Sequence, residues 1–200
     1  MKIYFNHDYV LENEHVILRP LVISDINELM EYALNEPEIW KYNANGAEGK
    51  ENLTNYIQQA IDQRNMGKEY PFIVFDKRAD KYVGSTRFYH FEATANKADL
   101  GYTWYGKIAQ GTKVNKSCKY LLLEFAFEKV GLDRVGFAAD NANRRSITAM
   151  KSIGAIEEGV LRNSAVGKDG NKIDVIVLSI LKEEWMSSVK TNLLNKIQNP

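Results

Sequence analysis

The stretch from residue 99 to residue 139 constrains the fold more than any other part of the chain, because its periodicity changes twice. It opens with DLGYTWY, an alternating run rich in aromatic residues, and crosses a short basic loop. Residues 116–130 then set Cys118, Leu121, Leu122, Phe125 and Ala126 on one helical face, and Gly131 ends the segment. RVGFAA, residues 134–139, reads as a strand again. A strand, a crossover helix and a second strand in one sheet make the two strands parallel and the crossover right-handed.

The flanking sequence is of another kind. Residues 71–76, 82–91 and 99–105 are short β-branched and aromatic runs, the first two joined by the polar DKRADK, so an antiparallel meander leads into the parallel unit. Earlier, residues 14–21 form a first strand closed by Pro20, and Ser24 is placed to cap a helix carrying Ile26, Leu29, Met30 and Ala33. A second helix shows Leu53, Tyr56, Ile57, Ala60 and Ile61, with Gly67 at its stop. NEPEIWKYNANGAEG between these helices is irregular. After the parallel unit, DNANRRS leads into a helix with Ile147, Met150 and Ile153 inward, ended by Gly154. Residues 156–162 and 173–181 are strands around GKDGN, and the polar tail from Glu183 is helical.

The order β, α, α, β, β, β, α, β, α, β, β predicts an α+β chain with a mixed, mostly antiparallel sheet, unlike the strict alternation of a doubly wound dinucleotide-binding domain. No repeat or Pro/Gly/Ser linker divides the 200 residues, so one domain is expected over 1–200, with a core of about 14–185 and a tail at 186–200.

Charge and residue usage exclude several functions. Lys plus Arg and Asp plus Glu are 26 each, so no global field favours nucleic acid or anionic lipid, and no RNP-like strand is present. Apolar runs such as residues 175–178 fall far short of the ~20 that span a bilayer, and a single cysteine, Cys118, rules out an intrachain disulfide framework. With His7, His15 and His90 as the only histidines, and no HExxH or CxxC, no metal site is expected. A cytoplasmic protein without nucleic-acid or membrane partners is the expectation; a homodimer is left open.

Chemistry concentrates in the loop of the parallel unit. Residues 106–123 contain Lys107, Lys113, Lys116 and Lys119 and no acid, just where a helix N-terminus offers unpaired N–H groups and partial positive charge. Gln110 and Gly111 precede the helix. An anion, phosphate above all, is the guest such a loop would hold.

On these residues the chain resembles the GNAT superfamily of N-acetyltransferases, and within it the branch that includes the ribosomal-protein N-terminal acetyltransferases. VILRPL, EPEIWKY, DLGYTWYG, QGTKVNK before LLLEFAF, NANRRS with KSIGAIEEGVLR, and DVIVLSILKEEW stand in the family order across residues 14–185. The resemblance implies a twisted, mostly antiparallel sheet with helices on both faces and a splayed parallel pair at its centre. It also implies acetyl-CoA as cosubstrate and acetyl transfer to a primary amine, on a peptide or protein N-terminus or a small molecule.

Residue by residue, it implies that backbone groups of Thr103, Trp104 and Tyr105 pair with pantetheine. Gln110 begins the phosphate loop, and the N–H groups of Gly111, Thr112, Lys113, Val114, Asn115 and Lys116 hold the diphosphate. Asn143 would bond the pantetheine, and Ser146, near the thioester sulfur, would serve the leaving thiolate, since the position of the family's tyrosine acid is Met150. The family glycine of the loop falls at Lys113 and its small residue at Asn115. That departure motivates an alternative, a catalytically degenerate relative that binds coenzyme A or has lost it.

His90 and Asp99, on the strands that border the thioester, are the candidate bases. The resemblance also implies that the first two helices and their loop form the acceptor side. Residues 24–62 carry eight acids against Lys41 and Lys50, which either draw a cationic acceptor there or are solvated helix faces. Trp40 and Tyr42 either cover the acceptor pocket, with Tyr102, or anchor the loop. Cys118 lies on the apolar helix face and reads as a core thiol, so direct transfer without an acetyl-cysteine is expected.

Overall fold

The computed structural model describes residues 2–43 and 46–199; Ala44 and Asn45 of the irregular stretch, and Pro200 of the tail, lie outside the described residues. In chain order the elements are β1 (Leu11–Glu12), β2 (Val16–Pro20), α1 (Ile26–Asn35), α2 (Gly49–Asn65), β3 (Tyr70–Asp76), β4 (Lys81–Glu92) and β5 (Lys97–Tyr105). There follow α3 (Val114–Glu124), β6 (Arg134–Asp140), α4 (Arg144–Ser152), β7 (Ile156–Val166), β8 (Lys172–Leu181), α5 (Lys182–Glu184) and α6 (Lys190–Gln198). Eight strands form one sheet in the order β1-β2-β3-β4-β5-β6-β8-β7, antiparallel except for the β5–β6 pair. This is the mixed α/β fold that the resemblance implies.

Helices cover both faces, each over its own apolar cluster. Leu29, Tyr32 and Ala33 of α1 and Leu53 and Ile57 of α2 pack with Ile73 and Trp104 of the sheet. On the other face Cys118 and Leu122 of α3, Ile147 and Met150 of α4, and Trp185 and Leu193 near the C-terminus pack on Phe72, Val83 and Val135. Each cluster is what the helical spacing required, since an amphipathic stripe must be covered.

Several boundaries differ from expectation, β5 for one beginning at Lys97 rather than at residue 99. The long helix starts at Val114, two residues early, and widens into a π-type turn at Phe125–Val130 before Gly131. A two-residue strand, β1, precedes the predicted first strand, and β7 runs on to Val166. Ser24 is not the cap of the first helix. Asp25 closes that turn instead, its carboxylate accepting the Val22 N–H at 2.9 Å and two bonds from the Arg19 guanidinium at 2.9 and 2.7 Å. A carboxylate that serves an amide and a forked cation together outcompetes a neighbouring hydroxyl.

What positions the site is the fork. β5 and β6 are paired only at Lys97↔Arg134, Ala98↔Val135 and Asp99↔Gly136. Beyond Asp99 the ladder stops, while β6 stays paired to β8 as far as Asp140 and β5 to β4 as far as Tyr105. Two bulges mark the β4–β5 ladder, one extra residue on β5 at Tyr102 (φ 49°) and one on β4 at His90 (φ 50°). Left-handed backbone at non-glycine residues costs about 1–2 kcal/mol each and persists only where the surroundings enforce it.

Candidate active site

The open end of the fork lies against the turn that starts α3. Gly111 there has φ 73°, a left-handed conformation, and a Cβ on it would meet nothing within 4 Å, so backbone rather than space demands glycine. Among the described residues, the N–H groups of Gly111, Thr112, Lys113, Asn115 and Lys116 have no acceptor. The Val114 N–H bonds Thr112 Oγ1 at 3.2 Å, and the Ser117 N–H returns to the Lys113 carbonyl at 2.9 Å. Five free amides on one turn, with the helix dipole behind them, form a cradle for an anion. Thus the loop retains its donors although lysine stands at position 113. A cleft lined by Glu14, His15, Asp76, Lys77, Arg78, Thr112 and Lys113 flanks the same turn on the β2–β3 side.

Gln110 and Arg145 span the mouth. Gln110 Nε2 donates to the Tyr105 carbonyl at 2.8 Å, and its Oε1 accepts from Arg145 at 2.9 Å. A side-chain amide therefore sits on the last carbonyl of β5, tying it to the first turn of α4. Asn143 caps that turn, its Oδ1 accepting the Ser146 N–H at 3.1 Å. Its carbonyl oxygen is engaged in the cap, which leaves the side-chain N–H groups for a ligand. Ser146 is half-buried on the α4 wall. Trp104 turns its ring to the opposite face, 4.6 Å from Trp40 between ring centres.

At the closed end of the fork, His90 Nδ1 lies 3.0 Å from Asp99 Oδ2. The bulge at His90 turns its ring to solvent, 74% exposed, while Asp99 is 30% exposed. Room for the carboxylate comes from Gly136, where a Cβ would lie 2.2 Å from Asp99 Oδ1. In the tautomer that donates from Nδ1 to the Asp99 carboxylate, Nε2 presents a lone pair outward. Tyr89 stands beside them; burial, with the Asp99 charge near it, pushes its phenol well above the ordinary range.

A second cluster supports the other bulge. The Arg87 guanidinium lies over the rings of Tyr102 and Tyr56, at 4.1 and 4.8 Å, and donates to Glu69 at 2.6 Å. The Tyr56 hydroxyl donates to the Tyr102 carbonyl at 3.3 Å. Cation–π contact and hydrogen bond thus hold Tyr102 in its left-handed conformation. No motif announced this set; a lone arginine between Thr86 and Phe88 in a strand was its only trace.

Burial separates Trp40 from Tyr42 and Tyr102. Trp40 is fully buried, packed on Trp104 and Tyr56, so it anchors its loop rather than facing a guest. Half of the eight acids are also paired with a cation. Asp25 pairs with Arg19, Glu31 with Lys81, Glu38 with Lys107 and Glu48 with Lys168, and Glu36 takes the Lys107 N–H. Counting acids along the sequence overlooked partners brought in by other elements. Tyr42 and Tyr102 are exposed, Tyr42 reaching the Ala142 carbonyl at 3.5 Å across the mouth of β6. Cys118 is wholly buried and its thiol is pushed up to about 12 by burial, as a core thiol would be.

Among the described residues no group of three or more His, Cys, Asp or Glu side chains could hold a metal, and no helix is long and apolar enough to cross a membrane.

Comparison with known proteins bears on the family and the fold. The acetyltransferase (GNAT) domain family matches residues 15–156. N-acetyltransferase p20 of Bacillus licheniformis is 27% identical over 176 residues, 88% of this chain and 97% of its own. In structure the chain resembles a GCN5-related N-acetyltransferase from Brucella melitensis, with a TM-score of 0.88, 19% identity and coverage of 97% of this chain and 87% of that one. It also resembles a ribosomal-protein-S5-alanine acetyltransferase from Vibrio fischeri, with a TM-score of 0.71, 18% identity and coverage of 89% and 99%. The last two likenesses concern the fold alone. The domain match, over most of the chain, settles the family: this protein is an acetyltransferase of the GNAT family.

Proposed function

We propose that the protein transfers acetyl from acetyl-CoA directly to a primary amine, on a peptide or protein N-terminus or a small molecule. The observation that carries this reading is the set of five free amides on the α3 turn, at the open end of a fork whose closed end holds the His90–Asp99 pair. Unbonded N–H groups around a left-handed glycine fit a diphosphate, and the β6-facing edge of β5 beyond Asp99 has main-chain groups for a pantetheine arm. The bound cosubstrate supplies the activated acyl group; the chain supplies position and proton handling.

Residues 111–116 hold the diphosphate, and Thr103, Trp104 and Tyr105 offer their backbone to the arm, with Gln110 giving up the Tyr105 carbonyl it now occupies. Asn143, fixed as the cap of α4, keeps its side-chain N–H groups for the same arm. His90 Nε2 accepts a proton from the incoming ammonium, directly or through a water, while Asp99 holds the ring and stabilises its charged form. An α-amine, with an ordinary pKa of about 7.7–8.0, asks less of such a base than a lysine-type amine at about 10.4. Ser146 holds a hydroxyl proton for the departing sulfur, a role that Met150 cannot fill. Tyr42 and Tyr102 border the acceptor.

The test follows free coenzyme A across peptide N-termini, polyamines, aminoglycosides and amino acids, beside calorimetric titration of acetyl-CoA. Micromolar binding and release with one acceptor class are expected. No binding at millimolar acetyl-CoA would sink the reading, and binding without release for any amine would leave a degenerate coenzyme A binder.

A further inference from the structure

Lys119 has no part in the transfer just described, and its surroundings are unusual for a lysine. It lies on α3, five residues beyond Val114, and is only 6% exposed. Its Nζ donates to Thr103 Oγ1 at 2.8 Å, and among the described residues it makes no ion pair. Lysines so deeply buried ordinarily have a carboxylate partner. Here three donor positions find one hydroxyl. Thr103 Oγ1 lies 2.7 Å from Thr86 Oγ1, and both hydroxyls approach the Gly101 carbonyl at 3.4 Å. The ammonium is therefore tied to the bulged part of β5 that borders the fork. The Lys119 backbone stands roughly 8 Å along the helix axis from that of Val114, within the same helix whose first turn carries the free amides.

We propose that Lys119 is a donor-side positioning residue, whose buried ammonium is the counter-charge for the anionic end of the cosubstrate and has none until that end sits on the amides of residues 111–116. The inference rests on the acetyl-CoA reading above and adds to it a residue that the loop motif does not contain. A charge inside the protein is weakly screened, so it acts over this distance where a surface lysine would not.

The consequence is a coupling of ligand affinity to pH. Desolvation pushes Lys119 down to about 8. The groups around it do not titrate with it. Cys118, on the same helix, is pushed up to about 12 by burial, and burial pushes Tyr105 of β5 well above the ordinary phenol range. Thr103 and Thr86 are uncharged, Arg87 of β4 is turned to the opposite face with Glu69, and Lys116 and Lys113 lie one and two turns back toward the N-terminus. A nearby anion favours the charged amine, so binding above pH 8 draws in a proton and affinity falls as pH rises through that range.

The probe is acetyl-CoA, which has no free thiol to titrate, bound calorimetrically from pH 7 to 9.5 in two buffers of different ionisation heat. For the wild type, Kd is expected to rise about tenfold across this range, with proton uptake near pH 8.5; tenfold corresponds to one pKa unit of coupling. Lys119→Met and Lys119→Gln, the second keeping a donor for Thr103, should fold normally by circular dichroism. Both should bind about tenfold more weakly at pH 7 and lose the uptake. Wild-type Kd and uptake in both variants would overturn the proposal. So would full rescue by glutamine at every pH, because the hydrogen bond rather than the charge would then matter. A wild type that fails to bind acetyl-CoA overturns the donor reading itself, and the wild-type arm distinguishes that outcome from the failure of Lys119 alone.

Discussion

The two faces of the fork treat charge in opposite ways. On the α3 face, five N–H groups at the helix start have no acceptor, and the Lys119 ammonium behind them has a hydroxyl but no counter-charge. On the α1–α2 face the charges that shape the fork are matched, Arg87 with Glu69, Arg19 with Asp25, His90 with Asp99. Donors without a protein acceptor on a partly exposed turn are open to a ligand, and a buried cation without a counter-charge costs stability, whereas paired charges hold geometry. The first face leaves donors available to an anion; the second keeps its own groups in place.

Breaking a pair on the second face should have the largest effect. Asp99→Asn leaves the volume unchanged but removes the charge that orients His90, and kcat should fall roughly 10²- to 10⁴-fold, the usual worth of general base catalysis. Acetyl-CoA affinity should stay within twofold, because Asp99 lies at the far end of the fork from the amides. A drop in kcat of less than fivefold in steady-state assays would remove the His90–Asp99 pair from the chemistry.

Next comes the unpaired cation. The folded-state pKa of Lys119 lies near 8, below the ordinary 10.5, so between these values the unfolded chain binds more protons than the folded one. The Lys119 contribution to stability should therefore rise with pH from about 8 to about 10, by up to about 3 kcal/mol. The Cys118 thiol from about pH 9 and the buried tyrosines above pH 10, whose folded pKa values are raised, act in the other direction. Urea unfolding at pH 7 and 9.5 checks this. Lys119→Met should lose the pH dependence and be more stable than wild type at pH 7; a variant less stable at both pH values would mean that the ammonium is already satisfied.

These contrasts show which parts of the molecule were legible in advance. Element order was readable because the chain changes period sharply around the parallel unit, and because Gly131 and Gly154 stop helices at positive φ. The free amides were legible as an acid-free basic loop at a helix start. Partners supplied from a distance were not. Ser24 and Asp25 are adjacent and both are good caps, and only Arg19 arriving from β2 decides between them. His90 and Asp99 are nine residues apart on neighbouring strands, and whether they meet depends on a bulge that no residue type announces. Lys119 read as one of four loop lysines. Its place one step round the helix from Cys118 hinted at the edge of the apolar face, but its burial follows from how α3 packs on β5.

A smaller effect tests whether the amide cradle needs its left-handed turn. Gly111→Val places a β-branched residue at φ 73°, at a cost of roughly 1–2 kcal/mol for that backbone conformation. KM for acetyl-CoA should rise about tenfold with kcat within twofold, and Gly111→Ala should show a weaker form of the same change. Equal KM for wild type and the valine variant would mean that the amides are not the diphosphate site.

The smallest expected effect on activity concerns Cys118, the immediate neighbour of Lys119 on the same helix. The two side chains share burial, and desolvation moves both toward their neutral forms, the thiol up to about 12 and the amine down to about 8. A thiol at that value is almost wholly protonated at neutral pH, and the attacking species in a covalent route is the thiolate. No histidine is bonded to it, and its ring neighbour Tyr105 is itself neutral. Cys118→Ala should therefore leave kcat within twofold, while removal of one buried sulfur costs about 1 kcal/mol and lowers Tm by about 2–4 °C in a chain of this size. The paired measurement separates packing from chemistry: a lower Tm with unchanged turnover assigns Cys118 to the core. Lost turnover with wild-type Tm and acetyl-CoA affinity would instead demand an acetyl-cysteine on the α3 face, and the division between a ligand-binding face and a reacting face would no longer hold.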